Sequence, residues 1–264
     1  MAQIISISNQ KGGVGKTTTS VNLAASLAAA EKSCLLVDCD PQGNATTGVG
    51  VDRTDLKGGL YDLLLGDMSP DDVIVQTEVP GLHLVGADRD LVGAEVELIA
   101  LRDKEFRLKR TLEDLRGRYN FIFLDCPPSF GYLTVNALTA ADSVLVPLQC
   151  EYYALEGLSQ LINTIRAVKK SLNPALRLMG ILLTMSDMRN NLSQQVAQEV
   201  RAHFGKSVFK TMIPRNVRLS EAPSHGKPIL LYDIRSKGAQ SYLELAREFI
   251  EKGAGNHDKA KGTG

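Results

Sequence analysis

The fold is decided by the stretch SNQKGGVGKTTTS, which occupies residues 8–20. It follows the short apolar run IISIS (4–8) and leads into the helix-forming run KTTTSVNLAASLAAA (16–30). A glycine-rich turn between a strand and a helix directs free backbone N–H groups at an anion, aided by the positive end of the helix dipole. The stretch therefore predicts a strand, a phosphate-binding loop and a helix, in that order.

The loop contains two lysines where one would serve a phosphate. Its glycines allow close approach, the Lys16 ammonium suits the β- and γ-phosphates, and the Thr17 hydroxyl suits Mg²⁺. The common pattern G-x-x-x-x-G-K-[ST] is not met, because Gln10 occupies its first glycine position. The run KGGVGKTT still predicts a nucleotide-binding loop, formed by Lys11, Gly12, Gly13, Val14, Gly15, Lys16, Thr17 and Thr18.

Strands and helices alternate along the rest of the chain. Further strands are predicted at 33–38, 81–87, 119–125, 143–148 and 176–185, with FKTMIP (209–214) as an edge strand. Helices are predicted at 60–67, 70–75, 105–118, 132–140, 155–171, 193–205 and 238–252. Apolar strands separated by helices indicate a parallel sheet covered on both faces. The sequence predicts a single α/β domain over 1–252, with a mostly parallel twisted sheet, and a disordered tail over 253–264.

Composition is that of a globular protein. Hydrophobic residues make up 44% of the chain and charged residues 23%, so a full core can form. No apolar run approaches the roughly 20 residues that cross a bilayer. The N-terminal run MAQIISISNQ lacks the basic region and apolar stretch of a signal peptide, so a cytoplasmic location is expected.

The cysteines form no CxxC pair, and each falls in or just after a predicted buried strand. We interpret them as small apolar core residues in a reducing compartment rather than as a metal or redox site. They are Cys34, Cys39, Cys126 and Cys150.

A neutral total charge conceals a basic segment. The chain has 30 Lys and Arg against 30 Asp and Glu, for a net charge of +0. Between Arg166 and Lys237, however, 13 basic residues face four acidic ones, a difference of 13 − 4 = +9, which leaves −9 for the remainder. A concentrated basic segment predicts a face that binds a polyanion.

The phosphate loop and four later motifs, taken together, resemble the deviant Walker A family of P-loop ATPases. That family includes ParA/Soj partition ATPases, MinD and the nitrogenase iron protein. The later motifs are VDCDPQGNAT (37–46), FIFLDCPPS (121–129), PLQCEYYALEGL (147–158) and IPRNVRLSEAPSHGKPI (213–229). The last two resemble chromosomal ParA/Soj proteins in particular, and the matches span about residues 3–235.

The resemblance assigns roles to the two lysines and to three aspartates. Lys16 serves the phosphates of its own chain, whereas Lys11 is the signature lysine that reaches the partner subunit's ATP in a sandwich dimer. Asp125, at the end of an apolar strand, holds Mg²⁺ directly or through water. Asp40 positions the attacking water, and Asp38 supports the metal. The implied catalytic residues are Lys11, Lys16 and Asp40, and the implied metal site is Thr17, Asp38 and Asp125.

A further segment, Pro214, Arg215 and Asn216, matches the part of this family that holds the adenine ring. ATP and Mg²⁺ are thus the implied cofactors.

The resemblance and the basic segment together favour a DNA-partitioning ATPase. Its ATP-bound homodimer binds double-stranded DNA without sequence preference on the nucleoid, and a ParB-like partner stimulates slow hydrolysis. The candidate phosphate contacts lie in the basic segment. They are Arg189, Lys206, Lys210, Arg218, Arg235 and Lys237.

The sequence bears on three other functions. A MinD-like membrane ATPase needs a C-terminal amphipathic helix. The final dozen residues contain no Leu, Ile, Phe or Trp, so no stable membrane binding is expected. An iron protein needs paired or symmetry-facing cysteines, for which the sequence offers no convincing set. A ParA-like ATPase that positions a cargo other than DNA stays open.

Overall fold

A seven-stranded sheet forms the centre of the molecule. The computed structural model describes residues 1–151, 154–187 and 189–261, with side chains no further than Lys252. The strands are β1 (Gln3–Ile7), β2 (Cys34–Asp38), β3 (Ile74–Gln76), β4 (Leu82–Val85), β5 (Phe121–Asp125), β6 (Ser143–Gln149) and β7 (Arg177–Thr184). Their order across the sheet is β3-β4-β2-β5-β1-β6-β7. Only the β3–β4 pair is antiparallel among these described strands.

The helices follow the strands in alternation. They are α1 (Lys16–Ala29), α2 (Asn44–Gly48), α3 (Leu60–Leu65), α4 (Pro70–Val73), α5 (Leu91–Glu97), α6 (Arg107–Glu113), α7 (Tyr132–Ala140), α8 (Ala154–Ser171), α9 (Asn191–Phe204), α10 (Val217–Glu221), α11 (Ile229–Tyr232) and α12 (Lys237–Lys261). Short 3₁₀ turns lie at Leu98–Ala100, Lys104–Phe106, Gly205–Ser207 and Ala222–His225.

Each face of the sheet has its own hydrophobic core, because successive strand residues point to opposite faces. In β1, Ile4 belongs to the core beneath α3 and α5–α9, whereas Ile5 belongs to the core beneath α1 and α10–α12. This arrangement confirms the predicted fold class, a mostly parallel sheet with helices on both faces. The four cysteines are free and buried in these layers.

Two predictions at the sheet edges were wrong. Residues 70–75 were predicted as helix, but α4 ends at Val73 and Ile74 begins β3, since β-branched residues favour the extended partner offered by β4. The segment 209–214 was predicted as an edge strand. In the described chain it makes one isolated bridge, Ser186–Pro214, and Val208 just before it makes another with Ile181, so no continuous ladder with β7 forms. Pro214 has no N–H with which to extend its own bridge.

The last helix, α12, ends at Lys261, whereas the sequence predicted an end near Lys252. Residues 262–264 lie outside the described part. Disorder of the tail, which was predicted over 253–264, stays a prediction. Tyr152 and Tyr153 of the motif PLQCEYYALEGL also lie outside it. No helix in the described ranges combines the length and apolarity needed to span a membrane.

Candidate nucleotide-binding site

The sheet order brings the predicted site residues to one edge. β5 lies between β1 and β2, with Asp125 in register with Ile7 on one side and with Asp38 on the other. The carboxyl ends of neighbouring parallel strands open at the same edge of a sheet, where α/β proteins bind ligands. The phosphate loop, Asp38 and Asp125 therefore meet, although more than 80 residues separate the two aspartates.

The loop between β1 and α1 presents backbone to open space. Gly13 and Gly15 have φ values of 74° and 86°, a left-handed conformation that side chains resist. A Cβ built on Gly12 or Gly13 would meet no atom within 4 Å, so a ligand can approach the backbone there. No side chain caps the first turn of α1, which leaves its N–H groups available to an anion.

Lys16 points into this loop. Its side chain is buried, and its Nζ donates a hydrogen bond of 3.0 Å to the carbonyl of Lys11. Burial lowers the pKa of Lys16, and the Asp125 carboxylate opposes that shift. The ammonium is thus held inside the curl of the loop, where a phosphate would compensate for its lost hydration.

Asp125 has one satisfied oxygen and one that lacks a partner. Ser20 Oγ donates to Asp125 Oδ1 at 2.7 Å, whereas Oδ2 is buried with no hydrogen bond among the described residues. Burial raises the pKa of Asp125, and the neighbouring Asp38 charge raises it further. A buried carboxylate oxygen without a donor is a place for a cation, and Mg²⁺ prefers oxygen ligands. Thr17 lines the nucleotide cavity, and its hydroxyl lies close enough to Asp125 to oppose the rise in that pKa, so the residues present fit a magnesium ion.

Asp38 shapes the turn beside the cavity rather than facing it. Its Oδ2 accepts hydrogen bonds from both the N–H and the hydroxyl of Thr46, each at 2.7 Å, and its Oδ1 accepts the Asp40 N–H at 3.2 Å. Burial raises the pKa of Asp38 despite these bonds. Asp40 itself lines the cavity, and its Oδ1 accepts the N–H of Gln42 at 3.0 Å.

Two adjoining cavities are available to a nucleotide. The first, of about 520 Å³, is bounded by the phosphate loop, Asp40 and Pro128. The second, of about 270 Å³, is lined by Pro214, Arg215 and Asn216, and it shares Gly15 and Thr18 with the first. Asn216 Oδ1 is buried there without a hydrogen-bond partner in the described chain, so a polar group of a ligand could satisfy it.

Lys11 lies outside both cavities. Its side chain is half-exposed and forms an ion pair with Glu151, while its backbone N–H donates to Asn9 Oδ1 at 3.0 Å. The two lysines of the loop therefore point in different directions, Lys16 inward and Lys11 outward.

Three residues that sequence reasoning missed hold this site together. Ser20, which bonds Asp125, lies four residues after Lys16 on α1, a helical spacing that could have revealed it. Thr46, which bonds Asp38, ends the quoted motif VDCDPQGNAT. Arg53 gave no sequence signal. Its guanidinium donates to the carbonyls of Pro41, Gln42, Ala87 and Asp88, which joins the segments that follow β2 and β4.

The structure gathers some of the predicted DNA-binding residues and separates others. The Arg215 N–H donates to the Ser186 carbonyl at 3.1 Å, which joins the two segments that carry Arg189 and Arg218, each three residues further on. Arg218 also lies 3.6 Å from Asp233, which brings it near Arg235 and Lys237. The remaining two candidates, Lys206 and Lys210, lie elsewhere. The Lys210 N–H bonds Glu248, eleven residues and about 16 Å along α12 from Lys237.

Neither arginine is free in the single chain. Arg189, which is almost fully exposed, pairs with Asp187 at 3.1 Å, and Arg218 pairs with Glu221 at 2.8 Å. A polyanion would have to replace these carboxylates.

Known proteins resemble this chain over nearly its whole length. A family model described as an AAA domain matches residues 2–178. The chain is 58% identical over 253 residues to the sporulation initiation inhibitor protein Soj of Bacillus subtilis, covering 96% of this chain and 100% of that protein. It is also 58% identical over 252 residues to the chromosome partitioning protein ParA of Myxococcus xanthus, covering 96% and 89%. Among solved structures, cobyrinic acid a,c-diamide synthase from Mycobacterium smegmatis with bound ADP and magnesium has a TM-score of 0.82 at 39% identity, covering 94% and 93%.

Proposed function

Because the chain belongs to the ParA/Soj family of chromosome-partitioning ATPases, we propose that it uses ATP binding and hydrolysis to control a dimer that holds DNA. The observation that carries this proposal is the meeting of an open phosphate loop, Asp40 and the unpartnered oxygen of Asp125 at one edge of the sheet. ATP and Mg²⁺ are the cofactors that this arrangement fits.

One nucleotide spans the two cavities. The loop N–H groups and the Lys16 ammonium bind the phosphates, and Pro214, Arg215 and Asn216 hold the base in the second cavity. Thr17 and Asp125 would hold Mg²⁺, which would neutralise phosphate charge when bound. Asp38 acts through the turn that it fixes with Thr46, as a positioning residue.

Hydrolysis depends on Asp40. Its carboxylate lies on the cavity wall with one bond, from the Gln42 N–H, so it retains acceptor capacity to orient a water molecule toward the phosphates. Asp38 does not take this role, because its carboxylate already accepts hydrogen bonds from the N–H and the hydroxyl of Thr46. A single positioned carboxylate is consistent with slow turnover that a ParB-like partner accelerates.

Lys11 acts on a second subunit. Its outward direction is unsuited to the phosphates that Lys16 already serves, and release from Glu151 would make the ammonium available to the nucleotide of a facing chain. A cation that reaches into the partner's site couples dimerisation to the phosphates bound there. The ATP-bound state is therefore a homodimer with Lys11 contributed in trans.

DNA binding follows from the basic segment. In a dimer, two copies of the neighbourhood around Arg189 and Arg218 lie on one assembly, which doubles the phosphate contacts available to a duplex. Binding without sequence preference would place the protein on the nucleoid, and hydrolysis would release it. A cargo other than DNA would use the same ATPase cycle.

Co-sedimentation with duplex DNA tests this function. We expect the protein to pellet with long DNA of unrelated sequences in ATP, and to stay in the supernatant in ADP or without nucleotide. Equal binding in all three conditions, or none in ATP, contradicts the proposal that ATP controls a DNA-binding dimer.

A further inference from the structure

An apolar stripe lies on the outer side of α5. Val92 and Val96 on α5, and Ile99 in the 3₁₀ turn that follows it, are 65%, 71% and 56% exposed, and their spacing of four and then three residues places them on one side. The opposite face, with Leu91 and Ala94, is fully buried in the core. The stripe is thus the solvent-exposed side of a helix whose other side packs in the core.

Phe130, which is 47% exposed, lies on the segment next to α5. The Glu95 carboxylate, between Val92 and Val96 on α5, accepts hydrogen bonds from the N–H groups of Tyr132 and Leu133 at 2.7 and 3.2 Å. A Cβ on Gly131 would lie only 2.3 Å from the same carboxylate. These contacts hold α5 against the segment that carries Phe130.

This surface borders the nucleotide cavity. Pro128, two residues before Phe130, lines that cavity together with Gly12, Gly13 and Asp40. α5 follows β4, and Phe130 follows β5, so both lie beyond the carboxyl ends of strands, at the edge where the phosphate loop opens. The apolar surface and the outward-pointing Lys11 belong to the same edge of the molecule.

The charged residues around the stripe indicate which kind of molecule binds to it. The exposed charged residues nearest in sequence are mixed in sign, namely Arg89, Asp90, Glu97, Arg102 and Asp103. A polyanion or an anionic membrane would be repelled by the acidic ones, whereas two copies related by a two-fold axis can bring basic residues of one against acidic residues of the other. Scattered apolar side chains on a surface need no partner, but a contiguous set beside a site usually marks a contact.

We infer that Val92, Val96, Ile99 and Phe130 form the apolar centre of the contact between two copies of this chain in the ATP-bound dimer. The inference rests on the proposed trans role of Lys11, which requires the two nucleotide edges to face each other. A stable contact buries about 800 Å² per partner and depends on a few apolar anchors near its centre. These four side chains supply such anchors, and Lys11 supplies the polar link to the nucleotide.

The test compares two aspartate substitutions with a matched control. Val96→Asp and Ile99→Asp introduce a charge into the stripe, whereas Ile234→Asp introduces one outside it, at a side chain 55% exposed against 56% for Ile99. All three positions are exposed, so thermal melts should match the wild type. We expect calorimetry to show unchanged ATP binding for all, and sedimentation velocity with ATP and Mg²⁺ to show an association constant at least ~10-fold lower for the two stripe variants only.

The outcomes separate this inference from the function on which it rests. If the wild type stays monomeric with ATP, the sandwich dimer itself fails, and the inference with it. If the wild type dimerises and both stripe variants do so as well as Ile234→Asp, the stripe lies outside the contact and the inference alone is overturned. Normal dimerisation with loss of partner-stimulated hydrolysis in the stripe variants also overturns it, in favour of docking by the partner protein.

Discussion

Lys11 and Glu151 form an ion pair within the single chain, across a sequence separation of 140 residues. Both side chains are close to half-exposed. Glu151 lies two residues after β6, the strand next to β1, so the pair links the phosphate loop to the segment that leads into α8. A Lys11 that serves a partner's ATP must leave this carboxylate, so the ion pair opposes dimerisation.

Replacing Lys11 should separate nucleotide binding from dimerisation. In Lys11→Ala, we expect ATP to bind with wild-type affinity, because Lys16 and the loop N–H groups remain, but the ATP-dependent dimer to be lost. Lys16→Ala is the matched variant, for which calorimetry should detect no ATP binding. A normal dimer of Lys11→Ala in light scattering with ATP would show that the lysine has no role in trans.

Removing the intramolecular partner should have the opposite effect. Glu151→Gln frees Lys11 while keeping the size of the side chain, and each dimer releases two such pairs. Exposed ion pairs are weak, so we expect the ATP-dependent association constant to rise by roughly 2- to 10-fold. The gain should shrink at high salt, because exposed charges are screened. A weaker dimer in sedimentation velocity would instead mean that Glu151 serves the contact between subunits.

Asp40 should be needed for hydrolysis alone. Asp40→Ala leaves the phosphate loop and Asp125 intact, so we expect the variant to bind ATP and to remain dimeric, with partner-stimulated hydrolysis at least ~100-fold slower. Asp52→Ala, which removes an exposed carboxylate from the same stretch of chain, is the control and should hydrolyse ATP normally. Wild-type turnover by Asp40→Ala would remove Asp40 from the catalytic step.

The buried carboxylate of Asp125, which has one oxygen without a partner among the described residues, should make the free energy of unfolding depend on pH. Burial raises the pKa of Asp125 in the folded chain, so the folded state keeps a proton that the unfolded chain releases near pH 4. The free energy of unfolding therefore falls as pH rises from about 4 through the raised value. Asp125→Asn removes this contribution, and without nucleotide it should be more stable than the wild type at pH 8, by about 1–3 kcal/mol.

Thermal unfolding from pH 5 to pH 8 measures this effect. The difference between Asp125→Asn and the wild type should shrink toward the acidic end. The variant should also gain less stability from Mg²⁺ with ATP, since a ligand oxygen is lost. A parallel pH profile for the two proteins would mean that Asp125 ionises normally in the folded chain.

DNA affinity should depend on Arg189 and Arg218 through counterion release. Each neutralised phosphate contributes a slope of about −0.9 to log K against log salt. In the dimer, Arg189→Ala or Arg218→Ala should weaken binding to all sequences alike and flatten the slope by about 1–2. Neither variant should alter ATP-driven dimerisation, since both residues lie outside the phosphate loop.

The matched control for these variants is Arg110→Ala. Arg110 is also exposed and paired with a carboxylate, that of Asp103 at 2.6 Å, but it lies outside the basic segment. Its salt titration should follow the wild type. If the Arg189 and Arg218 variants do so as well, the basic segment is a solvated surface.

The elements that local sequence determines were predicted closely. A glycine-rich turn has few backbone alternatives, and the apolar run before it and the alanine-rich run after it fix a strand and a helix at once. β1 and α1 accordingly lie within one residue of their predicted bounds. The short segment 70–75 near the sheet edge was predicted wrongly, because the same apolar residues suit a helix or a strand until a neighbour such as β4 offers hydrogen bonds.

The sequence by itself therefore determined the α/β fold class, the phosphate loop and the aspartates that end the neighbouring strands, because each depends on residues close together in the chain. Only the tertiary structure decided what those residues do to one another. Asp38 accepts hydrogen bonds from Thr46, and one oxygen of Asp125 has no hydrogen-bond partner in the described chain. The Lys11 side chain points outward and pairs with Glu151. The order β2-β5-β1-β6 sets these relationships. They join residues brought together by strand pairing and loop packing, for which no local pattern in the sequence provides a signal.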